Sequence, residues 1–324
     1  MYSNDTVHTL SNYITALHIL HSQHVLDGYG HLSIRNPENP HTFFLFHTVP
    51  SALVSGLNDI GEYYIADATP ANCNTPEGFK ERFIHSEILK RYKGVNVVLH
   101  GHSEELLIYS LGGERLQPVI HMAGFLGTFP TCQSPRCLAS SNSSNNSLQG
   151  RVFRYLTLTN ITIHTTHKTS LSRLNTSGLF WLGHSLRITK KRVMRRLSLN
   201  QVLQETNVES DIPDYNLVLM KSHGFTTVAV DLETATYQGI YAQTNARIQA
   251  KVAVTKRACS GTNAEAACQS AGEEGRQGST FLRPRQVEES WSSMLGTIRR
   301  PWMLWEREVE ANPLYVNKLS LLRI

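Results

Sequence analysis

Val97-Val98-Leu99-His100-Gly101-His102-Ser103 is the stretch on which the reading of this chain turns. The apolar run from Val95 to Leu99 suits a buried strand, and it leads directly into two histidines two positions apart. Alternate residues of a strand share a face, so the rings of His100 and His102 can point one way and hold a single cation. Upstream, residues 79–92 read as a helix, with Phe79, Phe83, Ile84, Ile88 and Leu89 at helical spacing and Gly94 as its stop. Glu81 and His85 are four apart on that helix and so share a face. Downstream, Glu104 to Ser110 reads as a polar helix, and Val119 to Gly127 is an apolar segment holding one histidine, His121.

Farther out, residues 7–26 carry an amphipathic helix on Val7, Leu10, Ile14, Leu17, His21 and Val25, stopped by Asp27-Gly28. Gly28 to Arg35 and Thr42 to Phe46 read as two strands joined by a polar turn, a hairpin. Residues 216–221 are a second buried strand, followed by Ser222-His223-Gly224 and a β-branched strand from Thr226 to Val230. Asp231 caps a long helix from Leu232 to about Lys256. Residues 258–281 are rich in Gly, Ser, Ala and Gln and read as a linker. A helical tail over 282–317 holds Trp291, Trp302 and Trp305, with Pro301 starting its second segment.

Composition excludes several classes. No apolar run among the 324 residues reaches the roughly 18–20 that a membrane-spanning helix needs. The first twenty residues lack a basic start followed by an apolar block, so a secretory signal is not expected and the cytosol is the default compartment. The five cysteines are odd in number and form no CxxC pair, which reads as free thiols. Net charge is only +5, too small to imply nucleic acid.

Three histidines therefore stand at strand ends: His100, His102 and His223. Neutral imidazole suits zinc, and also iron, nickel or copper. Three histidines with an open position have the form of a catalytic rather than a structural metal site. Glu81, on the helix that feeds the first of these strands, suits a fourth ligand or a general base beside the metal. The competing reading is chance, because the chain has 15 histidines and an HxH pair arises easily.

Four segments together resemble the class II aldolase and adducin head-domain family: Gly30 to Arg35, Glu81 to His85, Val97 to Ser103, and Ser222 to Gly224. Glu81–Glu87 and His121–Gly127 are similar to a branch related to hydroxy-aromatic acid decarboxylases. The resemblance covers roughly residues 5–130 and 212–256, with a tail match around 300–317. It implies a three-layer α/β/α domain around a mostly antiparallel sheet, split into 5–130 and 206–257. It implies a homo-oligomer, a tetramer in the family, with a small-molecule substrate. His100, His102 and His223 match the family's metal ligands, most often zinc, with iron or manganese as alternatives. Glu81 matches its acid–base glutamate. A tyrosine from the neighbouring subunit donates a proton in the aldolase branch, and counting along this chain lands near His121.

The sequence also departs from the family. Where sugar-phosphate aldolases place Gly-Asn, Thr-Gly and Ser-Ser around the phosphate, this chain reads Gly30-His31, Ser51-Ala52 and Phe79-Lys80. That cradle of small donors is missing. His31 and Arg35 could meet a carboxylate instead, the guanidinium offering a bidentate fork, or Arg35 could serve a structural ion pair. The expected activity is carbon–carbon cleavage, by decarboxylation or retro-aldol reaction, on a hydroxy-carbonyl or hydroxy-aromatic acid. The adducin branch keeps the fold without the histidines, so a catalytically silent interaction module is the alternative.

Residues 131–205 look unlike the rest. No Asp or Glu lies between Glu114 and Glu205, although 26 acids in 324 residues would place about seven there. A basic insert, an incidental variable loop, and a translated intron or shifted frame all fit. The last is preferred, because family members have a helix and a strand here. The stretch lacks the aromatic interleaving of a nucleic-acid platform.

Overall fold

The computed structural model describes residues 2–111, 114–128, 132–133, 216–260 and 280–320. All of these belong to the unit formed by Met1–Asn142 and Ser210–Ile324. The atypical stretch and the linker expected at 258–281 lie almost wholly outside the described residues, as do the cysteines beyond Cys73 apart from the backbone of Cys132 and Cys259. Cys73 is a free, exposed thiol.

Among the described residues, seven strands form one sheet: β1 (His31–Arg35), β2 (Thr42–Phe46), β3 (Ile60–Tyr64), β4 (Val97–Gly101), β5 (Cys132–Gln133), β6 (Leu217–Met220) and β7 (Gly224–Ala229). Their order is β3-β2-β1-β4-β7-β6-β5, antiparallel throughout except where β5 runs parallel to β6. The hairpin β1–β2 and the two histidine-bearing strand ends arise as their sequences indicate. β3 was not anticipated. Its alternation is broken by Gly61, and it forms as an edge strand because β2 offers a full partner, Thr42 opposite Tyr64 through Phe46 opposite Ile60.

Helices cover both faces, as the three-layer expectation requires. On one face lie α1 (Asn4–Ser22), α3 (Glu104–Ser110) and, after the short α4 (Phe125–Thr128), the long α5 (Leu232–Ser260). Leu32, Ile34, Val97 and Leu99 point to this side and share a core with Leu17, Leu20 and Ala235. On the other face lies α2 (Arg82–Arg91), whose Ile84, Ile88 and Leu89 pack with Phe43, Leu45 and Val98. The alternation of strand side chains thus sends Leu32 and Ile34 to one layer and leaves His31 and Ser33 facing α2.

Helix ends follow local chemistry. The Ser3 hydroxyl accepts from the Thr6 N–H at the start of α1. That helix ends at Ser22 rather than running to residue 26, because His24 turns left-handed (φ 59°) and the Val25 N–H bonds back to the Leu20 carbonyl. Asp231 caps α5, its carboxylate accepting from the Thr234 N–H at 2.7 Å.

The tail forms α6 (Pro284–Leu295) and α7 (Arg299–Ala311), the second starting two residues before Pro301. Trp302, Trp305 and Val309 bury themselves in the core of their own domain. Beyond α7 the Asn317 amide donates to the Ser11 carbonyl and the Thr15 hydroxyl, and the Tyr315 hydroxyl lies 2.9 Å from His21 Nδ1. The tail therefore packs on its own domain. Among the described residues, no helix is long and apolar enough to cross a membrane.

Candidate active site

Three features of the backbone bring the site together at one end of the sheet. β1 and β4 pair so that His31 stands opposite His100, which places both rings on the α2 face. Glu81 is the residue that opens α2, so its carboxylate faces that pair across the layer. The reversal between β6 and β7 carries His223 in: Ser222 takes a left-handed φ of 57°, and Gly224 follows. A Cβ on Gly224 would collide with the Gly101 carbonyl oxygen, so only glycine lets the two strand ends approach.

Glu81, His100, His102 and His223 offer ligand atoms that all lie within 4.8 Å of one another. Nε2 of His100 and Nε2 of His102 are 3.3 Å apart. Nε2 of His223 lies 2.7 Å from Glu81 Oε1, and Nε2 of His31 lies 2.9 Å from Glu81 Oε2. His100 is fully buried, whereas the side chains of His102, His223 and Glu81 keep 21%, 35% and 27% exposure and open onto a cleft of about 730 Å³. Tyr29, His47, Val49, Phe79 and Lys80 wall that cleft.

Outer partners orient two of the histidines. Nδ1 of His100 lies 3.0 Å from the Thr226 hydroxyl, and Nδ1 of His102 lies 3.3 Å from the Asp27 carboxylate. A carboxylate only accepts, so His102 carries its proton on Nδ1 and turns an Nε2 lone pair inward. The Thr226 hydroxyl also lies 3.5 Å from Met220 Sδ, and with its hydrogen turned there its oxygen can accept from His100 Nδ1–H. His100 can then take the same tautomer. Two lone pairs facing each other at that separation repel unless a proton or a cation lies between them. The donor set of imidazole nitrogens with an adjacent carboxylate, oriented from behind, fits a divalent transition metal.

The charges agree with this. Hydrogen bonds from His223 and His31, against the opposing effect of burial, hold the Glu81 carboxyl far below the usual carboxylate range. Burial, reinforced by the neighbouring His31, pushes His100 well below the ordinary imidazole value. Burial also works to raise Asp27, but the Tyr29 and Gly30 N–H groups and His102 outweigh it and keep that carboxyl low. An ionised glutamate thus faces the neutral ring of His100.

Of the residues singled out from sequence, His31, Glu81, His100, His102 and His223 come together. Arg35 does not. It ends β1 away from the cluster, and its guanidinium donates to the carbonyls of Pro40, Leu89, Tyr92 and Val95. That corrects both earlier readings of it: it is neither a carboxylate fork nor half of an ion pair, but a clasp between the hairpin and the end of α2. His121 is exposed in a 3₁₀ turn outside the cleft. That turn is held to α5 by Asn245, whose side chain accepts from the Val119 N–H and donates to the Gln117 carbonyl. Sequence reasoning missed the partner role of Asp27, read only as a helix stop, and of Thr226, read only as a strand residue. A carboxylate just before a glycine turn, facing an HxH strand end, is the signal that could have pointed to Asp27.

The family described as Class II Aldolase and Adducin N-terminal domain matches residues 12–133. The decarboxylase tropJ of Talaromyces stipitatus is 32% identical over 306 residues, covering 94% of this chain and 95% of the relative. Among solved structures, an aldolase II superfamily protein from Pseudomonas syringae superposes with a TM-score of 0.56 at 16% identity, covering 97% of this chain and 96% of the other. L-Fuculose 1-phosphate aldolase from Glaciozyma antarctica gives 0.56 at 14% identity, with 98% and 96% covered. These two show the fold.

Proposed function

The chain belongs to the class II aldolase and adducin N-terminal domain family, and from that membership and the site geometry we propose that it is a metal-dependent carbon–carbon lyase. The convergence of His100, His102, His223 and Glu81 carries the reading. His100, His102 and His223 would hold the cation, zinc by their chemistry, with iron or manganese as alternatives. Bound there, a divalent ion supplies Lewis-acid stabilisation of the negative charge that develops as a carbon–carbon bond breaks.

The chain's own residues do the rest. Glu81 lines the cleft, placed to take a proton from a substrate hydroxyl there. It then returns that proton to the carbon that the departing group leaves: retro-aldol cleavage balances in this way, whereas in decarboxylation of a carboxylate the hydroxylate left behind takes one further proton from solvent as CO2 departs. Asp27 and Thr226 keep the ring nitrogens of His102 and His100 aimed inward throughout. Phe79 and Lys80 stand on the cleft wall where sugar-phosphate aldolases place small hydroxyl donors. A hydroxy-aromatic or hydroxy-carbonyl acid suits an apolar wall with one cation better than a phosphorylated sugar does. The relationship to a decarboxylase favours decarboxylation over retro-aldol cleavage. His121 lies outside its own chain's cleft, so a role in proton donation would be exercised in a neighbouring subunit of a homo-oligomer.

Metal analysis by plasma mass spectrometry tests this directly. About one transition metal per chain is expected, lost in His223→Ala, together with release of CO2 from a hydroxy-aromatic acid. A metal-free, inactive protein of native fold would instead favour the silent, adducin-like module.

A further inference from the structure

Behind Glu81 lies a second set of groups that the proposed reaction does not use. His31 and His85 are buried to 1% and 0% exposure, and Ser33 to 0%. Nδ1 of His31 lies 2.6 Å from Nε2 of His85, and Nδ1 of His85 lies 2.6 Å from the Ser33 hydroxyl. With His31 Nε2 at 2.9 Å from Glu81 Oε2, these contacts form an unbroken line of three hydrogen bonds.

The two periodicities of the fold create it. His31 and Ser33 are two apart on β1 and share a face, while Glu81 and His85 are four apart at the start of α2 and share a face. Packing the helix on the strand therefore interleaves the four side chains. The aromatic surroundings fix the rings: His31 stacks on Phe79 at 4.7 Å and on His100 at 5.0 Å, and His85 stacks on Phe43 at 6.4 Å.

The direction of the line is dictated from one end. A carboxylate has no hydrogen to give, so His31 Nε2 must donate to Glu81. Both rings are buried among aromatic side chains, where a charged imidazolium is disfavoured, and a neutral His31 that donates from Nε2 must accept at Nδ1. His85 then donates from Nε2, accepts at Nδ1, and takes the hydroxyl hydrogen of Ser33. Every member has one assignment, and reversing any bond leaves two hydrogens or two lone pairs in contact.

The geometry points to His85 and Ser33 as positioning residues that act through His31: with its tautomer set by Glu81, their hydrogen bonds hold the ring at one rotation, so that Glu81 Oε2 always meets the Nε2–H and the carboxylate stays in place. Neither residue touches the cleft. The hydrogen-bond line stands without any reaction, whereas its contribution to turnover rests on the reading of Glu81 as the proton-transfer group.

The test uses the full chain, first metal-free and without substrate. Ring-nitrogen NMR, with the His31 signals assigned by their loss in His31→Gln, should show His31 protonated on Nε2 in the wild type. His85→Gln, whose amide nitrogen can still donate to Nδ1, should keep that pattern. His85→Leu, which leaves Nδ1 without its donor, should shift and broaden the His31 ring-nitrogen signals as the ring loses its fixed rotation, and Ser33→Ala should do so more weakly. With metal loaded, kcat should fall about 10–100-fold in His85→Leu, the range seen for residues that orient a site from behind, and return largely in His85→Gln, with KM and metal content little changed. Should His85→Leu fail to fold, Ser33→Ala and His85→Gln still decide the matter. An Nδ1-protonated His31 in the wild type, or His31 signals unchanged in both disrupting variants, overturns the proposal. The expected tautomers in a wild type that binds metal but cleaves nothing would instead defeat the lyase reading and leave the line intact.

Discussion

Asp27 shows how one side chain can serve a turn and a site together. Its carboxylate accepts from the Tyr29 and Gly30 N–H groups, which shapes the entry to β1, and from His102 Nδ1. Asp27→Asn preserves size but offers an amide that can turn either end to the ring. Metal affinity is expected to fall about 10–100-fold, measurable by chelator competition, with little change in fold. Glu81→Gln should keep the metal and abolish turnover, since an amide takes no proton at neutral pH; activity near wild type would exclude Glu81 as the base. His18 provides a pH handle away from the site. It is buried, bonds the Val54 carbonyl at 2.8 Å, and burial lowers its pKa to about 4. Between about 6.5 and 4 the unfolded chain binds a proton that the folded chain does not, so stability falls as the pH drops through that window. At pH 5 His18→Leu should escape about 2 kcal/mol of this loss in urea unfolding relative to pH 7.5.

At the scale of elements, the reversal from β6 to β7 is the most demanding part of the fold. Gly224→Ala places a methyl group against the Gly101 carbonyl, and the strand ends must part to admit it. A cost of ~1–3 kcal/mol is expected, together with loss of metal, because His223 moves with the turn. Much of this element-level picture was legible in the sequence. Glu104–Ser110 forms as read, the hairpin forms, and the three histidines stand at strand ends because apolar strand runs end where polar side chains begin. What escaped was whatever depends on a partner distant in sequence. β3 needs β2 beside it, and Arg35 finds its carbonyls only after α2 has docked. Asp27 and Thr226 acquire their roles from rings 75 and 126 positions away. Periodicity describes a segment's own faces and is silent about what it will meet.

For the whole molecule, the tail is a structural part of the domain. Trp302 is 2% exposed, and Trp302→Ala should cost about 3–5 kcal/mol in denaturant unfolding. Asn317→Ala removes donors to α1 and should cost roughly 1–3 kcal/mol. Both variants should bind metal once folded, since neither residue borders the cleft.

The position of β4 at the middle of the sheet also sets a timetable. One of its neighbours, β1, is made before it, but the other, β7, is not: Thr226 follows His100 by 126 positions. During synthesis the sheet must therefore wait, with one side of β4 open, until the far strand leaves the ribosome. Closing so long a loop is slow and entropically uphill. His223 arrives in the same late event, so the third histidine joins the other two only when that far strand pair is made. A cation present earlier would meet only two of the three.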